Sequence, residues 1–180
     1  MIEMATTGRK TTPGGWSIRW DEARAALAYA DGWWRRETCA DALAAAASGD
    51  PGRILLVDGS KEITAEALHD SATRLAGALL RRFPAGSVIS FMLPNWHEAA
   101  TIYMAATLAG MVAHPILPSL RDHDLRFMLG DVGSRMIFVP HSFRGFDYAA
   151  MLGRVRPELA EPPEVVVVRG EAGRFTPFDR

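Results

Sequence analysis

Four apolar runs constrain this chain more than any other feature of its sequence. They occupy residues 88–93, 111–117, 136–139 and 165–168 and begin about two dozen residues apart. Each is long enough for a strand buried on both faces, and the first three gaps each carry a helical signal. Trp96 to Ala109 forms a helical stretch that Asn95 and Glu98 would open as a capping box and Gly110 would stop. Asp122 opens a shorter helix with Leu125, Met128 and Leu129 inside, and residues 146–154 read as a third. Strands joined by helical crossovers must run parallel, so the expected fold class is α/β, a mostly parallel sheet flanked by helices.

The same apolarity invites a different reading. No acidic or basic side chain other than His114 lies between Glu98 and Arg121, a length adequate to cross a bilayer. Gly110, Pro115 and Pro118 interrupt that run. A helix followed by a buried strand explains it without a membrane, and no membrane span is expected.

Upstream of the sheet the signals change. Residues 1–15 are polar and rich in Gly and Thr, which predicts a flexible arm. Residues 16–50 read as a helical extension. Trp20, Ala23, Leu27, Ala30 and Trp34 recur at helical spacing, and Thr38 would cap a second helix over residues 38–47. The Trp33-Trp34-Arg35-Arg36 cluster is read as packing rather than as a nucleic-acid or membrane surface. From residue 51 to residue 180 the chain reads as one α/β unit. It opens with a hairpin turning at Asp58-Gly59 and a long helix that Thr64 caps and whose inner face is Leu68, Ala72, Leu75 and Leu79.

Composition narrows the function classes. The 180 residues carry a net charge of −1, so no basic face argues for nucleic acid. Cys39 is the lone cysteine, which suits a reducing compartment, and the first fifteen residues lack the apolar core of a secretory signal; the cytoplasm is the expected location. No G-x-G-x-x-G occurs, neither Lys10 nor Lys61 stands in a phosphate-loop context, and no G-x-S-x-G elbow is present. The five histidines (His69, His97, His114, His123 and His141) show no close ligand spacing, so no metal site is expected. Asp122 and Asp124 sit at a helix start, where acidic residues favour the dipole. His114, inside a strand before Pro115, stays open between a hydrogen-bonded histidine and a substrate-facing one, because parallel sheets bind ligands near strand ends.

The order of several short segments resembles a known family. Leu56-Val57-Asp58-Gly59 is followed by Ile63-Thr64, the helix with Leu75, Ala76 and Leu79, and then Leu93-Pro94-Asn95-Trp96-His97-Glu98. Ala109-Gly110-Met111-Val112-Ala113-His114-Pro115, the helix from Asp124 to Leu129, and Ser134-Arg135 complete the series. Together they are similar to the N-terminal subdomain of AMP-forming (adenylate-forming) acyl-CoA synthetases, over roughly residues 33–148. Gly32-Trp33-Trp34 and the segment from Val139 to Tyr148 look most like the branch of cyclohexanecarboxylate-CoA ligase and 2,3-dihydroxybenzoate-AMP ligase.

The resemblance implies that the parent enzyme activates a carboxylic or fatty acid with ATP and Mg, then passes the acyl group to coenzyme A. It also implies that the phosphate loop, the nucleotide motifs and the C-terminal lid lie beyond Arg180. The chain alone would then hold no catalytic residue, bind none of these cofactors tightly and be inactive, and its self-association stays open. By position in the family, Arg144 is the candidate for the 3′-phosphate of CoA, since a guanidinium fork bonds two phosphate oxygens. Its other reading is pairing with Asp147 or capping a turn. Ser119, in the loop Leu117-Pro118-Ser119, is the candidate for lining the pantetheine path. The alternative function is a stand-alone, non-catalytic half-fold that binds CoA or a partner chain.

Overall fold

The computed structural model describes residues 8–12 and 15–178. Its first element corrects the sequence reading. Residues 8–11, expected in a flexible arm, form β1 (Gly8–Thr11), which pairs antiparallel with β2 (Ser17–Trp20); Thr12 and Gly15 belong to the loop between them, and the arm's residues 1–7 and 13–14 lie outside the described residues. Every residue of β1 is exposed, so no alternation of polar and apolar side chains marks it. What holds it is polar: Arg9 donates to the Ser17 hydroxyl at 2.7 Å, and the Lys10 ammonium sits 4.5 Å from the Trp20 ring centre.

The helical extension therefore starts later than expected, at α1 (Glu22–Ala30), whose N-cap Asp21 accepts from the Arg24 amide. It also packs on a different face: Ala25 and Ala28 are buried while Leu27 is 55% exposed. Trp34 lies 6.0 Å from Trp20 and edge-on to Tyr29 at 5.6 Å, but Trp33 is 74% exposed, so the expected packing of the Trp33-Trp34 pair holds for Trp34 alone. The second helix, α2 (Cys39–Gly49), begins where expected, with Thr38 and Asp41 in a reciprocal capping box.

Next comes the hairpin β3 (Ile54–Asp58) and β4 (Lys61–Thr64), then α3 (Ala65–Leu80), capped by Thr64. The sheet is assembled from β5 (Val88–Phe91), β6 (Val112–Pro115), β7 (Ser134–Pro140), β10 (Glu164–Val168) and β11 (Thr176–Pro177). Between them run α4 (His97–Leu108), α5 (Asp122–Asp131) and α6 (Tyr148–Val155), and the hairpin β8 (Ser142–Phe143) and β9 (Phe146–Asp147) follows β7. The strand order is β11-β10-β7-β5-β6 and every pairing in it is parallel. The two-residue strand β11 and the opening of the third predicted helix as β9 are departures from the sequence reading.

Alternation along the central strands builds two cores. Met136, Phe138, Val166 and Val168 point to the side covered by α2, α3 and α4. Ile137, Val139, Val165 and Val167 point to the side covered by α5 and α6. That is why these runs are apolar at every position: both faces are buried. Each fully buried Ile, Phe or Leu contributes roughly 1.5–3 kcal/mol of transfer free energy. Among the described residues no helix is long and apolar enough to cross a membrane.

Candidate functional site: the C-terminal rim of the sheet

The chain leaves β5 for β6 on one side and leaves β7 for β10 on the other. The C-terminal ends of β5 and β7 therefore diverge, and a crevice opens at such a switch point. Trp96, after β5, and Phe143, after β7, meet across it edge-on, ring centres 5.9 Å apart.

Behind Trp96 lies a cluster not anticipated from the sequence. The expected capping box of Asn95 and Glu98 does not form; Trp96 is the N-cap of α4, and no side chain of the cap residue bonds there. The carboxylate of Asp58 takes that role from the β3–β4 turn, accepting from the His97 amide at 3.3 Å and from His97 Nδ1 at 2.8 Å. Glu98 is thereby free to turn toward Arg169, which follows β10. Arg169 donates to Glu98 Oε1 at 2.7 Å and Oε2 at 2.8 Å, bonds Asp58, and lies 4.1 Å from the Trp96 ring centre.

On its other side His97 Nε2 accepts from Lys61 Nζ at 2.9 Å, so Nδ1 carries the ring proton toward Asp58. The His97 bond, and then the Arg169 bond, hold the Asp58 carboxyl down at about 2. The same carboxylates raise the Arg169 pKa further above its already high value, Glu98 contributing most. Asp58, His97 and Glu98 bring three potential metal donors within 4.8 Å of one another, yet the positive charge among them is already supplied by Arg169. The cluster is a staple joining β3, α4 and β10.

The candidates predicted from sequence fall on two different parts of the molecule. Arg144 and Gly145 form the two-residue turn of β8–β9, with φ of +50° and +76°, a turn of the kind that suits hairpin twist. The guanidinium of Arg144 lies over Phe143 at 5.2 Å and is exposed, with no carboxylate at ion-pair distance among the described residues. Pairing with Asp147 does not occur: that carboxylate caps α6, accepting from the Ala150 amide at 2.8 Å.

Ser119 is exposed in the loop after β6. That loop is tied to the hairpin region from below, since the Tyr148 hydroxyl donates to Pro118 O at 2.8 Å. Arg121 donates to Pro118 O and Leu120 O and stacks 4.1 Å from the Phe146 ring centre. Ser119 and Arg144 thus stand on adjoining loops of one rim.

His114, the penultimate residue of β6, is set one residue back from the C-terminal end of that strand. It is half-buried within β6, opposite Ser90, whose hydroxyl lies 2.9 Å from its Nδ1. Burial pushes its pKa below the ordinary value. The acidic pair is structural, as read: Asp122 takes a bidentate bond from Arg154 at 2.7 and 3.0 Å, and Asp124 accepts from the Arg121 amide at 3.4 Å.

Comparison with known proteins agrees with this architecture. The family model for AMP-binding enzyme matches residues 43–177. A medium-chain fatty-acid–CoA ligase of Escherichia coli is 32% identical over 154 residues, covering 84% of this chain and 27% of its own length. A 2,3-dihydroxybenzoate-AMP ligase of Bacillus subtilis is 25% identical over 161 residues, covering 89% of this chain and 30% of its own. The apo structure of MbtA from Mycobacterium smegmatis superposes with a TM-score of 0.73 at 27% identity, over 88% of this chain and 29% of that one. The chain thus spans less than a third of the length of these relatives.

Proposed function

Because the chain belongs to the AMP-binding enzyme family, we propose that it is the amino-terminal portion of an ATP-dependent acyl-CoA ligase of the cytoplasm. In that reaction a carboxylate attacks the α-phosphorus of ATP and expels pyrophosphate. The thiol of coenzyme A then attacks the acyl-adenylate carbonyl and AMP departs. Adenylation replaces a poor leaving group with a good one, and cationic groups must steady the charge on the phosphoryl during transfer. The family match over residues 43–177 is the observation that carries this reading, and it favours a ligase over a stand-alone binding module.

Within the ligase, these residues supply the scaffold and one edge of the CoA site. Arg144 suits a phosphate because its guanidinium is exposed and has no carboxylate competitor within ion-pair distance among the described residues. Ser119, on the adjoining loop, offers a hydroxyl to the pantetheine arm. Asp58 and Glu98 do not suit the Mg ion of ATP, because Arg169 already engages both. Reaction chemistry on the nucleotide is assigned to no residue of this chain.

The reading frame encoding the chain, read through to its stop, should direct acid-dependent ATP–pyrophosphate exchange and CoA-dependent AMP release, while the 180 residues alone give neither. In that full product Arg144→Ala should raise KM for CoA about tenfold and leave pyrophosphate exchange unchanged, the loss of one charge-assisted contact. A frame that stops at Arg180, or a full product without exchange activity on any carboxylic acid, overturns the proposal.

A further inference from the structure

The strands themselves contain a line of hydroxyls whose protons can be placed one by one. Ser134 Oγ lies 3.0 Å from Met136 O, and a carbonyl only accepts, so the single hydroxyl proton of Ser134 goes there. Ser90 Oγ lies 2.8 Å from Ser134 Oγ and must therefore donate to it. That spends the only proton of Ser90, so His114 Nδ1, 2.9 Å away, must donate in turn. All three contacts are hydrogen bonds in this order alone. Both serines are completely or almost completely buried, so no solvent competes for these protons.

The relay fixes the imidazole: Nδ1 carries the proton, and Nε2 of the neutral ring is left with a lone pair. His114 also lines a cleft of about 440 Å³ along the exposed edge of β6. Met111, Val112, Ala113 and Val132 form one wall, and Trp16 and Ile18 of the β1–β2 hairpin form the other. Among the described residues no charged side chain lines it. Burial lowers the His114 pKa, which keeps the ring neutral.

We propose that this cleft binds a neutral, largely apolar molecule carrying one O–H or N–H donor, seated with that donor on His114 Nε2. Its volume lies in the range of small-molecule sites, roughly 300–1,000 Å³. An anion would meet a lone pair and no cation; a cation would lose its water with no carboxylate to replace it. A molecule with no donor would bury the Nε2 lone pair unpaired. The site goes beyond the ligase reading: Val88 and Val112 begin their strands, so the cleft lies toward the N-terminal border of the sheet, while Arg144 and Ser119 stand on the opposite rim.

The test is imidazole nitrogen NMR on the histidine-labelled chain at neutral pH, titrated with 4-propylphenol and with 4-propylanisole, its methyl ether. His114 should show the Nδ1–H form. The phenol should shift its Nε2 resonance saturably and bind on the order of tenfold more tightly than the ether, the weight of one hydrogen bond. His114→Phe should erase that preference. Val112→Glu, at the exposed wall, should abolish binding of both probes while the Nδ1 resonance stays in place. An Nε2–H form, equal binding of the two probes, or no saturable shift at millimolar phenol overturns the proposal. So does probe-independent dimerisation that protects the Val112 amide, which would make the cleft a contact between copies.

Discussion

Arg169 and Glu98 are 71 positions apart in the chain and meet in a two-pronged ion pair, Nε on one carboxylate oxygen and Nη2 on the other. The geometry is the parallel fork that guanidinium and carboxylate share, and it brings the end of β10 to the start of α4. Glu98 and Asp58 are only 12% and 18% exposed, so two carboxylates depend on one cation for neutralisation.

Arg169→Met should therefore destabilise the chain by about 1–3 kcal/mol, a figure below that for fully buried pairs because Arg169 itself is partly exposed. Arg169→Lys should recover little of the loss, since a single ammonium cannot span both oxygens or stack on Trp96. Urea denaturation monitored by circular dichroism measures both.

Acid should attack the same cluster. Asp58 has a folded pKa of about 2, below its unfolded value near 3.8. The unfolded chain therefore takes up that proton first, and the stability Asp58 contributes is whole above pH 3.8 and lost as pH falls toward 2. Asp58→Asn should flatten the slope of stability against pH between about 4 and 2. Denaturant midpoints across that window test the sign.

The relay in the strands predicts a coupling. Ser90→Ala leaves the Ser134 hydroxyl oxygen and His114 Nδ1–H without their partner in a dry sheet, which should cost about 1–3 kcal/mol. Ser90→Ala combined with Ser134→Ala should cost less than the sum of the two single changes, because the second removes a group that the first had orphaned. A double-mutant cycle in urea reads the difference.

His114 gives a second pH window. Its folded pKa lies below 6.5, so the unfolded chain binds the proton more readily and stability should fall as pH drops below 6.5. His114→Gln should remove that part of the decline. Thermal melts at pH 7.5 and 5.5 compare the two proteins.

Packing offers the simplest contrast. Leu129→Ala, in the core under α5, should cost about 2–5 kcal/mol, while Phe127→Ala on the same helix, 68% exposed, should change stability by less than about 0.5 kcal/mol.

The sheet was legible because its central strands β5, β7 and β10 are buried on both faces and so stand out as apolar runs, with the edge strand β6 apolar as well though partly exposed. Where burial is one-sided or absent the signal failed. Every residue of β1 is exposed, and α1 buries two alanines while its leucine faces out, opposite to what hydrophobicity alone assigns. The Asp58–His97–Glu98–Arg169 staple had no local signal, since its farthest members are 111 residues apart. Asn95 looked like a cap because nothing nearby in sequence revealed that Asp58 would reach the first turn of α4, at the His97 amide. Ser90 read as an ordinary strand residue and Ser134 as lying just before a strand; only the register of β5 between β6 and β7 brings them together. Arg144 and Ser119 were placed by family position, and the structure sets both on one rim.

Two described residues other than glycine have positive φ, and both are arginines on that rim, Arg144 at +50° and Arg169 at +58°. Glycine would take either conformation without the roughly 1–2 kcal/mol an L side chain costs there. For Arg169 the staple offsets the cost; for Arg144, which lies over the Phe143 ring, no ion pair or side-chain hydrogen bond among the described residues does. Folding alone would let mutation drift position 144 toward glycine or asparagine. Arg144→Gly should therefore leave the fold as stable as before or slightly more so, whereas Arg169→Gly relieves the same backbone strain only by dismantling the staple.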